Sequence, residues 1–221
     1  MIRLYVCLTN SCNANCEFCC MWSSSNKKTY MAFETFKSII DSKIDDFELQ
    51  LEGGEPLLHK DLYLFMEYAV STGRCKKIII LSNGILLDNH LPRFVDFNKY
   101  HKVPIQIKMS INYWLLNMNN NLIEDAINYH LSTKYIDGVD MFYNVRMRHS
   151  DEYLKDLINN SVLKDVSNIF YLQRYGKYED EEGYDLPFIV QNIDDWFLYS
   201  TDGTCFNKDI IARSNYEKEL D

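Results

Sequence analysis

The sequence is poor in the residues that punctuate loops: 221 residues hold only eight glycines and four prolines. The few places where glycines cluster therefore carry information. Basic charge is also scarce, with 23 Lys and Arg against 32 Asp and Glu and a formal net charge of −9. That balance argues against a nucleic-acid binder, because such proteins neutralise phosphates with Lys and Arg. It leaves a small molecule, a basic peptide or a reducing partner protein. No stretch approaches the ~18 consecutive apolar residues of a membrane span, so no membrane partner is expected. The start, MIRLYVCLTN, has one basic residue and a short apolar run that soon meets polar residues, and does not read as a signal peptide. The expectation is a cytoplasmic, reducing location, where seven cysteines read as ligands, catalytic groups or buried thiols rather than disulfides. The five histidines (His59, His90, His101, His130, His149) show no ligand spacing.

What is present is a regular alternation of short apolar runs and amphipathic helical patterns. Strands are expected at 2–9, 47–52, 76–83, 104–111, 139–147 and 168–174. Helices are expected at 32–42, 61–70, near 89–99 with Pro92 in its first turn, at 121–132 and at 151–158. Such βα alternation implies parallel strands with right-handed crossovers. Six units end near residue 174, and a closed eight-unit barrel typically takes ~250 residues. The expected fold is therefore α/β, an open six-stranded partial (β/α)6 barrel over residues 1–175. Residues 176–221 are expected to add an acidic linker (GKYEDEEGYDLP, 176–187) and a C-terminal β-hairpin turning at Asp202-Gly203.

In barrel-like α/β folds ligands sit at the carboxyl ends of the strands, and the unusual residues of this chain fall there. The first strand runs into NSCNANCEFCCMW (10–22), four cysteines within nine positions, three of them spaced C-x3-C-x2-C at Cys12, Cys16 and Cys19. The second strand ends in EGGEP (Glu52 to Pro56), the third in Ser82-Asn83-Gly84, the fourth in Ser110-Ile111-Asn112, and the fifth carries Asn144 and Arg146. Structural zinc sites want four ligands, usually as CxxC-type pairs. Here one loop offers three spaced thiolates plus Cys20, whose adjacency to Cys19 makes it a poor fourth ligand to one ion. A [4Fe–4S] cluster held by three thiolates leaves one iron open for a second ligand. The cluster is the preferred reading of the loop, with zinc and buried structural thiols as the alternatives.

Cys-x3-Cys-x-Phe-Cys after a first strand, followed by GGEPLL after the second, resembles the radical S-adenosylmethionine (radical SAM) superfamily over residues 2 to about 174. The resemblance implies a [4Fe–4S] cluster on Cys12, Cys16 and Cys19, with S-adenosylmethionine chelating the open iron. It implies Phe18 beside the adenine, Gly53 and Gly54 giving the methionyl moiety room to approach the backbone, Glu55 accepting from its amino group, and Pro56 stiffening the turn. Softer matches are Ser82 and Asn83 at the third strand, Ser110 and Asn112 towards the ribose, with Asn in place of the usual Asp, and Arg146 towards the carboxylate. The implied activity is reductive cleavage of S-adenosylmethionine to a 5′-deoxyadenosyl radical that takes a hydrogen atom from a substrate. An external one-electron donor such as flavodoxin or ferredoxin is the implied partner. The C-terminal hairpin looks like the opening of the SPASM or twitch extension of peptide-modifying members. That favours a peptide or peptide-like substrate. A small-molecule enzyme similar to 7-carboxy-7-deazaguanine synthase, a glycyl-radical activase, and a non-catalytic metal-binding scaffold are the alternatives. Cys7, Cys20, Cys75 and Cys205 are expected to be packing thiols.

Overall fold

In a computed structural model the chain is described over residues 1–178 and 195–220. Seven strands form one sheet in the order β6-β5-β4-β3-β2-β1-β7, curled into an open half-barrel. The strands are β1 (Ile2–Thr9), β2 (Phe47–Gly53), β3 (Cys75–Ser82), β4 (Ile105–Asn112), β5 (Val139–Met147), β6 (Ser167–Tyr171) and β7 (Asp195–Tyr199), and every pairing is parallel. The helices are α1 (Phe33–Asp41), α2 (Leu62–Ser71), α3 (Leu87–His101), α4 (Tyr113–Met118), α5 (Leu122–Thr133), α6 (Tyr153–Asn159) and α7 (Ile210–Glu219).

Side chains alternate across a strand, and this alternation sorts the sheet into an apolar face and a polar one. Leu4, Val6 and Leu8 of β1, Leu49 and Leu51 of β2, and Ile78 and Ile80 of β3 join one core with Phe36 of α1 and Phe65 of α2, whose rings stack at 4.6 Å. The intervening residues Arg3, Glu48, Gln50, Glu52 and Lys108 face the other, concave side. They pair with one another there: Arg3 Nε donates to Glu48 at 2.8 Å, Gln50 Nε2 to Glu52 at 2.5 Å, and Lys108 Nζ to Gln50 at 3.3 Å.

The sheet has seven strands where six are expected. The seventh comes from the C-terminal segment: Ile2 to Val6 of β1 pair in parallel with Asp195 to Tyr199. The turn at Asp202-Gly203 does form, with Gly203 N–H donating to Ser200 O and Ser200 N–H to Thr204 O, both at 3.0 Å. Its return makes only one isolated antiparallel bridge, Tyr199 with Cys205. The expected add-on hairpin is thus replaced by a sheet strand, a tight turn and a helix. The reason is local. Asn207 takes a left-handed φ of 48° and turns the chain off the extended path. Asp209 then caps α7, its carboxylate accepting the Ala212 N–H at 2.8 Å. Helix α3 also starts earlier than expected, so Pro92 lies inside it rather than in its first turn. The backbone bonds of Leu87 to Gly84 and of Asn89 to Leu86 wind that earlier turn. The expected acidic linker lies, from residue 179, outside the described residues. No described helix is long and apolar enough to cross a membrane.

Candidate functional site

The cysteine loop leaves β1 at Thr9 and returns to the strand end by backbone pairing. Cys12 N–H donates to Ser24 O at 3.0 Å and Ser24 N–H to Asn10 O at 3.2 Å, while Asn10 Oδ1 accepts the Thr29 N–H at 3.0 Å. Closing a long loop on itself fixes its sulfurs against the sheet rather than leaving them in solvent. Cys12 is buried, and Cys16 and Cys19 are half-buried. A tight turn joins the latter two, with Cys19 N–H on Cys16 O at 3.3 Å.

The Gly-Gly-Glu-Pro turn after β2 is bonded directly to this loop. Gly54 N–H donates to Thr9 O at 2.6 Å and Glu55 N–H to Ser11 O at 2.9 Å. Only glycine fits at 54, because a Cβ there would stand 2.1 Å from Ser11 O. Glu55 is fully buried. Its Oε1 accepts from Ser82 Oγ at 3.0 Å and from the Leu57 N–H at 3.1 Å, and its Oε2 from the Asn83 N–H at 2.7 Å. Burial pushes its carboxyl up to about 7, against the pull of those three donors. Asn83 carries the chain of contacts onward: its Nδ2 is 2.8 Å from Asn13 Oδ1 and 3.7 Å from Cys12 Sγ.

From β4, Asn112 is buried, and its side-chain oxygen caps α4 by accepting the Leu115 N–H at 2.9 Å. Ser110 is half-buried one residue pair away. The capped helix supports the cysteine loop: Trp114 Nε1 donates to Ala14 O at 2.7 Å, the Tyr113 hydroxyl to Glu17, and the Tyr113 ring lies 5.3 Å from Phe18. From β5, the Arg146 guanidinium stands 5.6 Å from the Phe170 ring. It opens, with Phe18, Cys20 and Tyr175, onto a narrow cleft.

Thus the cysteine loop, the Gly53–Pro56 turn and the Ser82-Asn83 end are brought into one hydrogen-bonded unit. Phe18 and Arg146 share the neighbouring cleft, and Asn112 is committed to a helix cap. Sequence reasoning missed Gly176 and Arg213. Gly176 has φ 74°, and a Cβ there would meet Cys20 Cα at 2.4 Å and Cys19 O at 2.7 Å. Lys177 N–H donates to Cys19 O at 3.1 Å beside it. As one of only eight glycines, it was itself a signal. Arg213, in a tail without a motif, gave none; it forms a buried ion pair with Glu52 at 2.6 Å.

A parallel half-barrel whose first strand feeds a three-cysteine loop, tied to a glycine-rich turn after the second, defines a class of cofactor-binding α/β protein. The radical SAM superfamily model matches residues 6–157, and the chain belongs to that superfamily, whose members use a [4Fe–4S] cluster and S-adenosylmethionine. The chain is 34% identical over 96 residues to a probable GTP 3′,8-cyclase of Methanocaldococcus jannaschii, a match over 42% of this chain and 32% of that protein. It is 21% identical over 231 residues to the GTP 3′,8-cyclase of Campylobacter curvus, covering 89% of this chain and 70% of that one. Against the first of these the chain spans about a third of the relative's length. Its fold is similar to anSMEcpe with bound AdoMet, with a TM-score of 0.59 and 17% identity over 82% of this chain and 53% of that one.

Proposed function

We propose that this chain is a radical SAM enzyme in which Cys12, Cys16 and Cys19 hold three irons of a [4Fe–4S] cluster. The observation that carries this reading is the pair of backbone bonds from Gly54 to Thr9 and from Glu55 to Ser11. They set the glycine turn against the root of the cysteine loop, so a ligand on the open iron would lie along bare backbone. The donor set fits the cluster. The Cys12 and Cys16 thiols are pushed up to about 11 and about 12, by burial first and then in part by the neighbouring cysteines. A cationic iron centre is what offsets that cost. Among the described residues no three His, Cys, Asp or Glu side chains gather tightly enough for a single metal ion. Thiolates that each take a different iron of a cube do not need to converge on one point.

When bound, cluster and S-adenosylmethionine supply a 5′-deoxyadenosyl radical that takes a hydrogen atom from the substrate. The protein's part is to bind and orient. Phe18 and Arg146 flank the cofactor cleft, Gly53 and Gly54 leave the backbone bare, and Glu55 fixes the turn to β3. Ser82, Asn83, Ser110 and Asn112 line the adjoining strand ends. The electron comes from an external one-electron donor.

The case for a peptide substrate rested on a C-terminal hairpin, and a strand, turn and helix stand in its place. The charged concave face and the helix across it favour a small polar molecule. Relatives named GTP 3′,8-cyclase support that choice, while a structure similar in fold carries a bound Cp18Cys peptide and keeps the peptide as the second reading. Anaerobic reconstitution followed by dithionite and S-adenosylmethionine tests the proposal. Four irons per chain and release of 5′-deoxyadenosine are expected, both lost on Cys12→Ser, Cys16→Ser or Cys19→Ser and retained on Cys205→Ser. A fully loaded cluster that releases no 5′-deoxyadenosine rejects the radical reading.

A further inference from the structure

Helix α7 does not pack like the other helices. Helices α1 and α2 bury Phe36, Ile39, Ile40, Phe65 and Met66 on the apolar face of the sheet, whereas the buried residues of α7 are Arg213, Ser214 and Glu217. These lie on the concave side. Arg213 Nη2 pairs with Glu52 at 2.6 Å. Glu217 takes a bond from Ser200 Oγ at 2.5 Å and bears on the Cys7 thiol. Ser214 Oγ donates to Cys20 O at 2.5 Å. A helix that buries only polar groups gains little from the hydrophobic effect and holds its place through those bonds.

The bonds do not fill the seat. Arg213 is 5% exposed and Glu217 is 0% exposed. Yet among the described residues Arg213 Nε and Nη1 and Glu217 Oε2 have no hydrogen-bond partner, nor do Thr201 Oγ1 and, beside the helix, Trp22 Nε1. Among the described residues, one other buried side-chain polar atom, Ser167 Oγ, shares that condition. Unsatisfied polar groups thus gather under and beside one helix, and opening of that helix would hydrate them. The outer end is held by another polar clasp. Lys27 Nζ donates to Glu217 O at 2.8 Å, to Lys218 O at 3.1 Å and to Leu220 O, and Asn10 Nδ2 donates to Leu220 O at 3.3 Å.

We propose that α7 is a lid, which detaches locally to admit ligand to the concave face and shuts by setting Arg213 back on Glu52. Detachment exchanges a seat with orphaned donors and acceptors for hydration, and exposes few apolar groups in doing so. The hinge is the polar turn of 200–209, outside the sheet. Because Ser214 holds the Cys20 carbonyl, opening also frees one restraint on the cysteine loop.

Two buried thiols provide the test. Cys7, at 0% exposure, lies under α7, and Cys75, at 4%, lies in β3 away from it. The reconstituted holoprotein is treated with iodoacetamide without denaturant and alkylation at each cysteine is followed by mass spectrometry. Backbone hydrogen exchange is followed in parallel. A local opening is expected to label Cys7 at least about ten-fold faster than Cys75, and to exchange amides of 210–219 ahead of those of β1. Lys27→Met and Arg213→Gln, each removing one clasp, should speed Cys7 further and leave Cys75 unchanged. Equal rates with the same urea dependence for the two thiols, or a Cys7 rate that neither variant moves, overturns the lid and makes α7 a fixed part of the fold. Neither readout depends on whether the protein performs radical chemistry.

Discussion

The Glu55 carboxylate and the Asn83 backbone N–H meet at 2.7 Å inside the molecule, joining the turn after β2 to the end of β3. Both carboxylate oxygens accept from donors of the chain itself, which makes Glu55 a cross-brace between two strand ends as well as a candidate ligand group. Its carboxyl stands at about 7, raised from 4.5 by burial. A carboxyl with a raised folded value binds its proton more tightly in the folded state. The stability it contributes is present below the unfolded value and is lost as pH rises through the window from 4.5 to about 7. Glu55→Gln should lose on the order of 1–3 kcal/mol, because the amide nitrogen must face either the Leu57 or the Asn83 N–H. Lacking the titration, it should show a deficit that shrinks as pH rises across that window. Urea unfolding of both proteins at pH 5 and pH 7.5 checks the sign; a deficit independent of pH assigns the brace no titration.

Gly73 and Gly176 have almost the same φ, 73° and 74°, and opposite surroundings. A Cβ at 73 meets nothing within 4 Å, while at 176 it meets Cys20 Cα at 2.4 Å. Gly73→Ala should therefore cost about 1–2 kcal/mol, the left-handed penalty alone. Gly176→Ala should cost more and should push the Cys19-Cys20 segment, lowering iron retained after reconstitution. Iron per chain and urea midpoints for the pair separate the two terms. Equal iron in both variants would show that the segment after β6 does not set the loop.

The parts of this architecture that could be read from the sequence are those carried by short-range pattern. The apolar runs of β1 to β6 and the stripes of α1, α2 and α5 follow from periodicity. The cysteine spacing and the Gly53-Gly54 pair stand out against a chain with little glycine. What could not be read depends on distant pairing. β7 joins β1 across nearly the whole chain, and Asp202-Gly203 serves a tight turn before a helix as well as it serves a hairpin. Glu52 looks like ordinary alternation in its strand, because its partner Arg213 on α7 is more than a hundred residues away. Asn112 was readable as polar at a strand end, but its use as a cap required knowing that α4 follows at once.

Trp114 is the strut between α4 and the cysteine loop, through its indole N–H on Ala14 O at 2.7 Å. Trp114→Phe keeps most of the ring packing and removes that donor. The expected cost is about 1 kcal/mol in stability, together with faster loss of iron from the reconstituted protein on chelation, since Ala14 lies between Cys12 and Cys16. Chelator-driven bleaching followed by absorbance measures it. Bleaching at the wild-type rate would leave Trp114 a packing residue only.

Lys108 is costly to keep charged on the concave face. Burial, with Arg3 near, lowers its ammonium to about 8 from 10.5, and its recorded hydrogen bond is to the neutral Gln50 amide at 3.3 Å. A lysine with a lowered folded value disfavours folding while it is charged, so stability should rise with pH from about 8 to 10.5 as the unfolded chain holds the proton the folded chain has released. Lys108→Met should raise stability at pH 7.5 by on the order of 1–3 kcal/mol and abolish that rise. Urea unfolding at pH 7.5 and pH 9.5 is the measurement. A variant less stable than wild type at pH 7.5 would mean that Gln50 and Glu52 already compensate the charge. If the variant is more stable, the chain carries a destabilising cation on its concave face, beside the Arg213–Glu52 ion pair.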